Sequence, residues 1–149
     1  RPARPVRLTS LRSSSAAETE RLGAEVAAGL APGDVVLVSG ELGAGKTTFV
    51  RGACRALGVE GPVVSPTFTI GRRYAGEGGL AVSHLDLYRL ADLEAEDPAL
   101  LEDYLTPDAV AFIEWPDVAS ADVPDPAAVV TIRHAGGDSR EIDVERTSQ

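Results

Sequence analysis

The sequence predicts a single three-layer α/β domain, a central mixed β-sheet flanked by helices, and three observations carry that prediction. The run Gly40-Glu41-Leu42-Gly43-Ala44-Gly45-Lys46-Thr47 completes the G-x-x-x-x-G-K-[ST] spacing of a phosphate loop, with a strand-like run before it and a helix-like run after it. A second apolar run, Ala109 to Ile113, has the continuous hydrophobicity of a strand buried on both faces. The chain has 149 residues and an apolar fraction of 44%, enough for one self-sufficient core.

From the N-terminus, Arg1, Arg4, Arg7 and Arg12 stand among residues 1 to 12 without an acid, while the whole chain carries a formal charge of −9. Residues 1 to 13 are expected to be a flexible basic segment, and 14 to 149 the single domain. So acidic a body is a poor independent binder of nucleic acid. One cysteine allows no internal disulfide and fits a reducing cytoplasm. No apolar run approaches the roughly 18 residues of a membrane span, and no N-terminal segment resembles a secretion signal.

Ser15-Ala16-Ala17-Glu18 has the spacing of a capping box, and Leu22, Val26 and Leu30 recur every four residues, which predicts an amphipathic helix from about 16 to 30. Pro32-Gly33-Asp34 ends it. Val35-Val36-Leu37-Val38 then predicts the strand that enters the phosphate loop. Glycines at 40, 43 and 45 let several backbone N–H groups converge on one anion, and the positive end of the following helix adds to that field. Lys46 is positioned to reach the β- and γ-phosphates of a nucleotide, and the Thr47 hydroxyl to ligate Mg2+. Lys46 is the chain's only lysine; every other basic residue is arginine. A compact ammonium on a flexible stem is what this one position needs.

After the loop, Phe49, Val50, Ala53, Cys54 and Leu57 share one helical face, and Gly58 ends the helix. Cys54 reads as a small buried side chain. Ser65-Pro66-Thr67-Phe68-Thr69-Ile70 reads as a strand entered from a polar loop; it is either an edge strand or a switch-like segment with Thr67 near the γ-phosphate or Mg2+. Gly71 to Gly79 reads as a turn between two antiparallel strands, the second being Leu80 to Asp86. Asp86 ends that strand, where a carboxylate can face a bound Mg2+. His84 lies two residues earlier on the same face and reads as a packed or hydrogen-bonded histidine, not a metal ligand.

The acids of 92 to 98 read as a solvated face, and Leu100, Leu101, Tyr104 and Leu105 as a short helix. The buried strand 109 to 113 ends in Glu114-Trp115-Pro116, so a second carboxylate can orient water or join the metal shell. Asp86 and Glu114 therefore compete for the metal-side role. Residues 117 to 128 form a proline-containing linker, and the runs 129 to 133 and 141 to 145 a C-terminal hairpin without evident chemistry. Arg72, Arg73 and Arg89 are the basic candidates near the motifs.

With these residues laid out, the P-loop NTPase-like chain resembles the TsaE family, also called YjeE, small bacterial ATPases of threonylcarbamoyladenosine formation in tRNA. The resemblance runs from about Ser15 to Pro116 and more loosely into the final hairpin. Its carriers are Leu22-Gly23, Gly33-Asp34, Gly40 to Thr48, Ser65-Pro66-Thr67-Phe68, His84-Leu85-Asp86-Leu87-Tyr88-Arg89 and Ile113-Glu114-Trp115-Pro116. It implies that Glu41, Leu42, Gly43, Ala44, Gly45, Lys46, Thr47 and Thr48 hold ATP or ADP and Mg2+. It also implies Asp86 in the metal shell, Glu114 as a hydrolysis residue that also reaches the metal, Trp115 beside the nucleotide and Thr67 on a switch. The same resemblance implies two partners, TsaB and TsaD, with tRNA met only through that complex. Two other functions fit the loop: a small-molecule kinase, and a nucleotide-gated binding module without catalysis.

Overall fold

The computed structural model describes residues 6–41, 45–64, 71–87, 99–114 and 125–147. Its strands are β1 (Val6–Ser13), β2 (Val35–Gly40), β3 (Gly71–Ala75), β4 (Ala81–Asp86), β5 (Ala109–Glu114), β6 (Ala128–His134) and β7 (Arg140–Thr147). Its helices are α1 (Ala16–Ala27), α2 (Lys46–Ala56) and the single turn α3 (Ala99–Glu102). Among the described residues the strands form one mixed sheet in the order β1-β7-β6-β2-β5-β4-β3. β6, β2, β5 and β4 are mutually parallel, and antiparallel strands close both sides.

The parallel strands are the most apolar, as strands covered on both faces must be. Val36, Val38, Phe112, Val130 and Ile132 face α1 and α2 in one core, with Leu22, Val26, Phe49, Val50 and Cys54. On the opposite face Val35, Ala111, Ile113, Leu85 and Leu87 pack with Leu101 of α3. Both long helices thus lie on one side of the sheet, crossing closely at two glycines. A β-carbon on Gly23 would sit 2.1 Å from the Phe49 carbonyl oxygen, and one on Gly52 1.9 Å from that of Glu20.

Helix α1 starts where the capping box predicts it. Ser15 Oγ accepts from the Glu18 N–H, while Glu18 Oε1 accepts from Ser14 N–H, one residue earlier than the usual reciprocal bond. The helix stops at Ala27, short of the expected residue 30.

Two expectations are corrected. Residues 6–13 are not a loose basic tail but the strand β1, paired antiparallel with β7 along its whole length. The reason is complementarity: Arg12 stands opposite Glu141 and Ser10 opposite Asp143, and Leu11 packs on the core beside Ile142. Likewise, the expected turn 71 to 79 is strand over its first half. β3 runs Gly71–Ala75 and pairs with β4, and the reversal is confined to a short turn around Glu77–Gly79. The predicted strand within 65 to 70 and most of the predicted linker lie outside the described residues.

Candidate active site

The carboxyl ends of β2, β5 and β4 lie side by side, with Val38 beside Glu114 and Glu114 beside Asp86 in parallel register. Ligands of open α/β sheets bind at that edge. Here the chain leaves β2 through Gly40, whose β-carbon, if it had one, would lie 2.3 Å from the Ile132 carbonyl oxygen on β6. Only glycine lets the loop depart so close to its neighbour. Gly45 then caps α2 with a φ of 106°, in the left-handed region.

Lys46 opens α2 and is 5% exposed. Its ammonium donates to the carbonyls of Gly40 at 3.0 Å and Glu41 at 2.9 Å, closing the lysine over its own loop. Burial pushes its pKa below the ordinary 10.5, and the carboxylates of Glu114 and Asp86 work in the opposite direction. Thr47, the next residue, donates through Oγ1 to Glu114 Oε2 at 3.2 Å. Glu114 ends β5 and is almost wholly buried. The same Oε2 meets Nε2 of His84, which lies on β4 with no exposed surface, at 2.5 Å.

Lysine, threonine and two carboxylates therefore converge, as the loop and strand-end positions predict. The hydroxyl and carboxylate oxygens are hard donors suited to Mg2+. Among the described residues no three His, Cys, Asp or Glu side chains are grouped to hold a metal unaided. Mg2+ takes few protein ligands and completes its shell with water and phosphate. Thr48 is half-buried in the first turn of α2, and Glu41 is exposed, its Oε1 accepting from the His134 N–H at 3.4 Å. Leu42, Gly43, Ala44, Thr67, Trp115 and Arg89 lie outside the described residues.

Of the arginines near the motifs, Arg73 is turned away from the site. Arg73 is held by Asp108 at 3.2 Å and by the Asp103 carbonyl at 3.3 Å, at the end of β5 remote from Glu114. Among the described residues a guanidinium approaches the loop from Arg140, at the start of β7, in the hairpin expected to hold no chemistry. Its Nε lies 4.0 Å from the position of a Gly45 β-carbon, and Nη1 donates to the carbonyls of Gly137 and Ser139. Because β6 runs parallel to β2, its carboxyl end and the hairpin beyond it arrive at the loop. The linear sequence carries no signal of that pairing. The direct bond from His84 to Glu114 was equally hidden, although a histidine two residues before a strand-end acid marked the face.

Fold and loop together define a P-loop NTPase-like α/β protein. Residues 13–142 match the family model of the threonylcarbamoyl adenosine biosynthesis protein TsaE, and the chain belongs to the TsaE family. It is 41% identical over 125 residues to the tRNA threonylcarbamoyladenosine biosynthesis protein TsaE of Bacillus subtilis, covering 84% of this chain and 77% of that one. With the protein of the same name from Treponema pallidum it shares 36% over 132 residues, covering 89% and 96%. The crystal structure of Bacillus subtilis YdiB superposes with a TM-score of 0.79 at 31% identity, covering 98% of this chain and 90% of that one. Among the described residues no helix is long and apolar enough to cross a membrane.

Proposed function

We propose that the chain is a Mg2+-dependent ATPase subunit required for threonylcarbamoyladenosine formation in tRNA, slow alone and gated by TsaB and TsaD in the cytoplasm. The observation that carries this reading is the meeting of Lys46, Thr47, Asp86 and Glu114 at the end of the parallel strands. Lys46, now bonded to the Gly40 and Glu41 carbonyls, exchanges those acceptors for phosphate oxygens when ATP enters. Its suppressed basicity strengthens that exchange, because a partly desolvated ammonium gains more from an anion. Bound Mg2+ would supply charge neutralisation on the β- and γ-oxygens. Glu114, fixed at a strand end, orients the attacking water, and Asp86 beside it supports the hydrated metal shell.

Slowness follows from what the phosphate loop does. It binds ground-state phosphates firmly, whereas acceleration needs an aligned water and a cation on the developing charge. Among the described residues Arg140 sits on the β6 side of the loop, away from Glu114, and in this reading a partner supplies or aligns the missing group.

The test is phosphate release from ATP and GTP by the purified chain, alone and with TsaB plus TsaD, against Lys46→Ala. Slow ATP turnover, raised by the partners and lost in the variant, is expected. Turnover indifferent to the partners would detach the chain from that complex, and turnover surviving Lys46→Ala would remove the loop from the reaction.

A further inference from the structure

We propose that His84 is a positioning residue for Glu114, holding the carboxylate at the end of β5 through a proton on Nε2. The inference rests on the reading of Glu114 as the carboxylate on the metal side of the phosphate loop, and it begins from an oddity of the core. His84 has no exposed surface and lies on the helix-facing side of the sheet, next in register to Phe112 and two residues from Val82 on the same face. An apolar side chain would suit that environment. The imidazole instead leaves Nδ1 buried without a partner among the described residues, which is costly for a ring nitrogen. What the ring makes is one bond, from Nε2 to Glu114 Oε2.

That bond has a division of labour built into it. Two donors meet the same oxygen, Thr47 Oγ1 from α2 and His84 Nε2 from β4, while Glu114 Oε1 takes no hydrogen bond among the described residues. Two donors on Oε2 fix the rotation of the carboxylate and leave Oε1 for other partners. The donors differ in permanence. The Thr47 hydroxyl is the group proposed to turn to Mg2+, and in doing so it gives up Oε2. His84 is locked in the sheet core and cannot follow. The imidazole therefore keeps the carboxylate oriented in the loaded state, when its other donor has left. Carboxylates on the metal side of a site are in general oriented by hydrogen bonds from groups behind them, and here the imidazole is such a group.

The chain has two histidines, so nitrogen-15 NMR of the labelled full-length protein gives two imidazole spin systems, one being exposed His134. The expected result is a proton on Nε2 of the buried ring; a bare Nε2 with the proton on Nδ1 alone overturns the proposal whatever the activity. A second arm compares His84→Gln, whose side-chain amide can still donate near Oε2, with His84→Leu, each shown folded by circular dichroism. His84→Leu is expected to lose about 10- to 100-fold in kcat with KM for ATP within about twofold, and His84→Gln to recover most of it. Unchanged kcat in folded His84→Leu, or equal loss in both variants, overturns the proposal. Absence of ATP turnover in the unsubstituted chain with TsaB and TsaD strikes instead at the proposed function, and the NMR arm then decides the role of His84.

Discussion

Replacing Gly52 by alanine sets a helix gain against a packing loss, and the structure decides the sign. Alanine is favoured over glycine inside a helix by about 0.8–1 kcal/mol, partly through the unfolded chain. Against this, the added β-carbon would lie 1.9 Å from the Glu20 carbonyl oxygen and 2.5 Å from its carbonyl and α-carbons, where contacts under 3.0 Å are essentially never seen. All three atoms are backbone, so no side chain can swing aside, and α1 and α2 must part by about 1 Å at their crossing. Overpacking of this kind costs about 3 kcal/mol, the upper end of its usual range, leaving a net loss of about 2 kcal/mol. For a chain of this length that lowers the thermal midpoint by about 4–8 °C. Circular dichroism melting measures it, with Gly29→Ala as the control because its β-carbon meets chiefly the flexible tip of Arg146 at 3.1 Å. A midpoint for Gly52→Ala equal to or above the unsubstituted protein would refute the reasoning. The same displacement shifts the start of α2, so the 3.2 Å bond from Thr47 to Glu114 should fail and turnover fall even below the melting range.

Cys54 is fully buried, and burial pushes its thiol from 9.0 up to about 12. Between those values the unfolded chain loses a proton that the folded chain keeps, so stability falls as pH rises, by about 1.4 kcal/mol per unit. Urea unfolding at pH 8 and pH 10 should therefore show a smaller loss for Cys54→Ala, and equal losses would contradict the burial argument. Arg140→Ala should weaken MgATP binding by about 1.5–3 kcal/mol, the worth of a hydrogen bond to a charged group, in a calorimetric titration. Unchanged affinity would confine Arg140 to tying the Gly137 and Ser139 carbonyls of its hairpin. Glu114→Ala should leave ATP affinity nearly intact while abolishing partner-stimulated phosphate release; unchanged release would remove Glu114 from the mechanism.

What was legible in the sequence had a local cause. The strand before the phosphate loop and the helix that opens at Lys46, the capping box at Ser15 and the buried strand at 109 to 113 each depend on residues a few positions apart, and each appears where the pattern puts it. Asp86 and Glu114 were legible as strand-end acids because a polar residue closing an apolar run marks a strand terminus. Their adjacency was not, since it follows from the parallel pairing of β4 with β5 across more than twenty intervening residues. β1 was misread for the same reason. Arg12 looks like part of a solvated tail until β7, more than a hundred residues later, brings Glu141 opposite it. Long-range pairing also explains Arg140, whose hairpin reaches the loop only because β6 lies beside β2.

The strand order then gives the site a polarity that no single motif contains. On one side of β2 stand the carboxylates of Glu114 and Asp86, at the ends of β5 and β4. On the other side stands the Arg140 guanidinium, beyond β6 and close to Gly45, with the Lys46 ammonium between the two. A polyphosphate carrying a divalent cation is itself polar, anionic along its chain and cationic where the metal sits. Aligned with the field of these side chains, its metal turns toward the acids of β5 and β4 and its remaining phosphates toward Arg140. The reverse orientation sets the metal against a guanidinium and phosphate against two carboxylates, both repulsive at close range. In the proposed function, the order of strands in the sheet, as much as the glycines of the loop, would thus orient the substrate with its metal end toward Glu114 and Asp86.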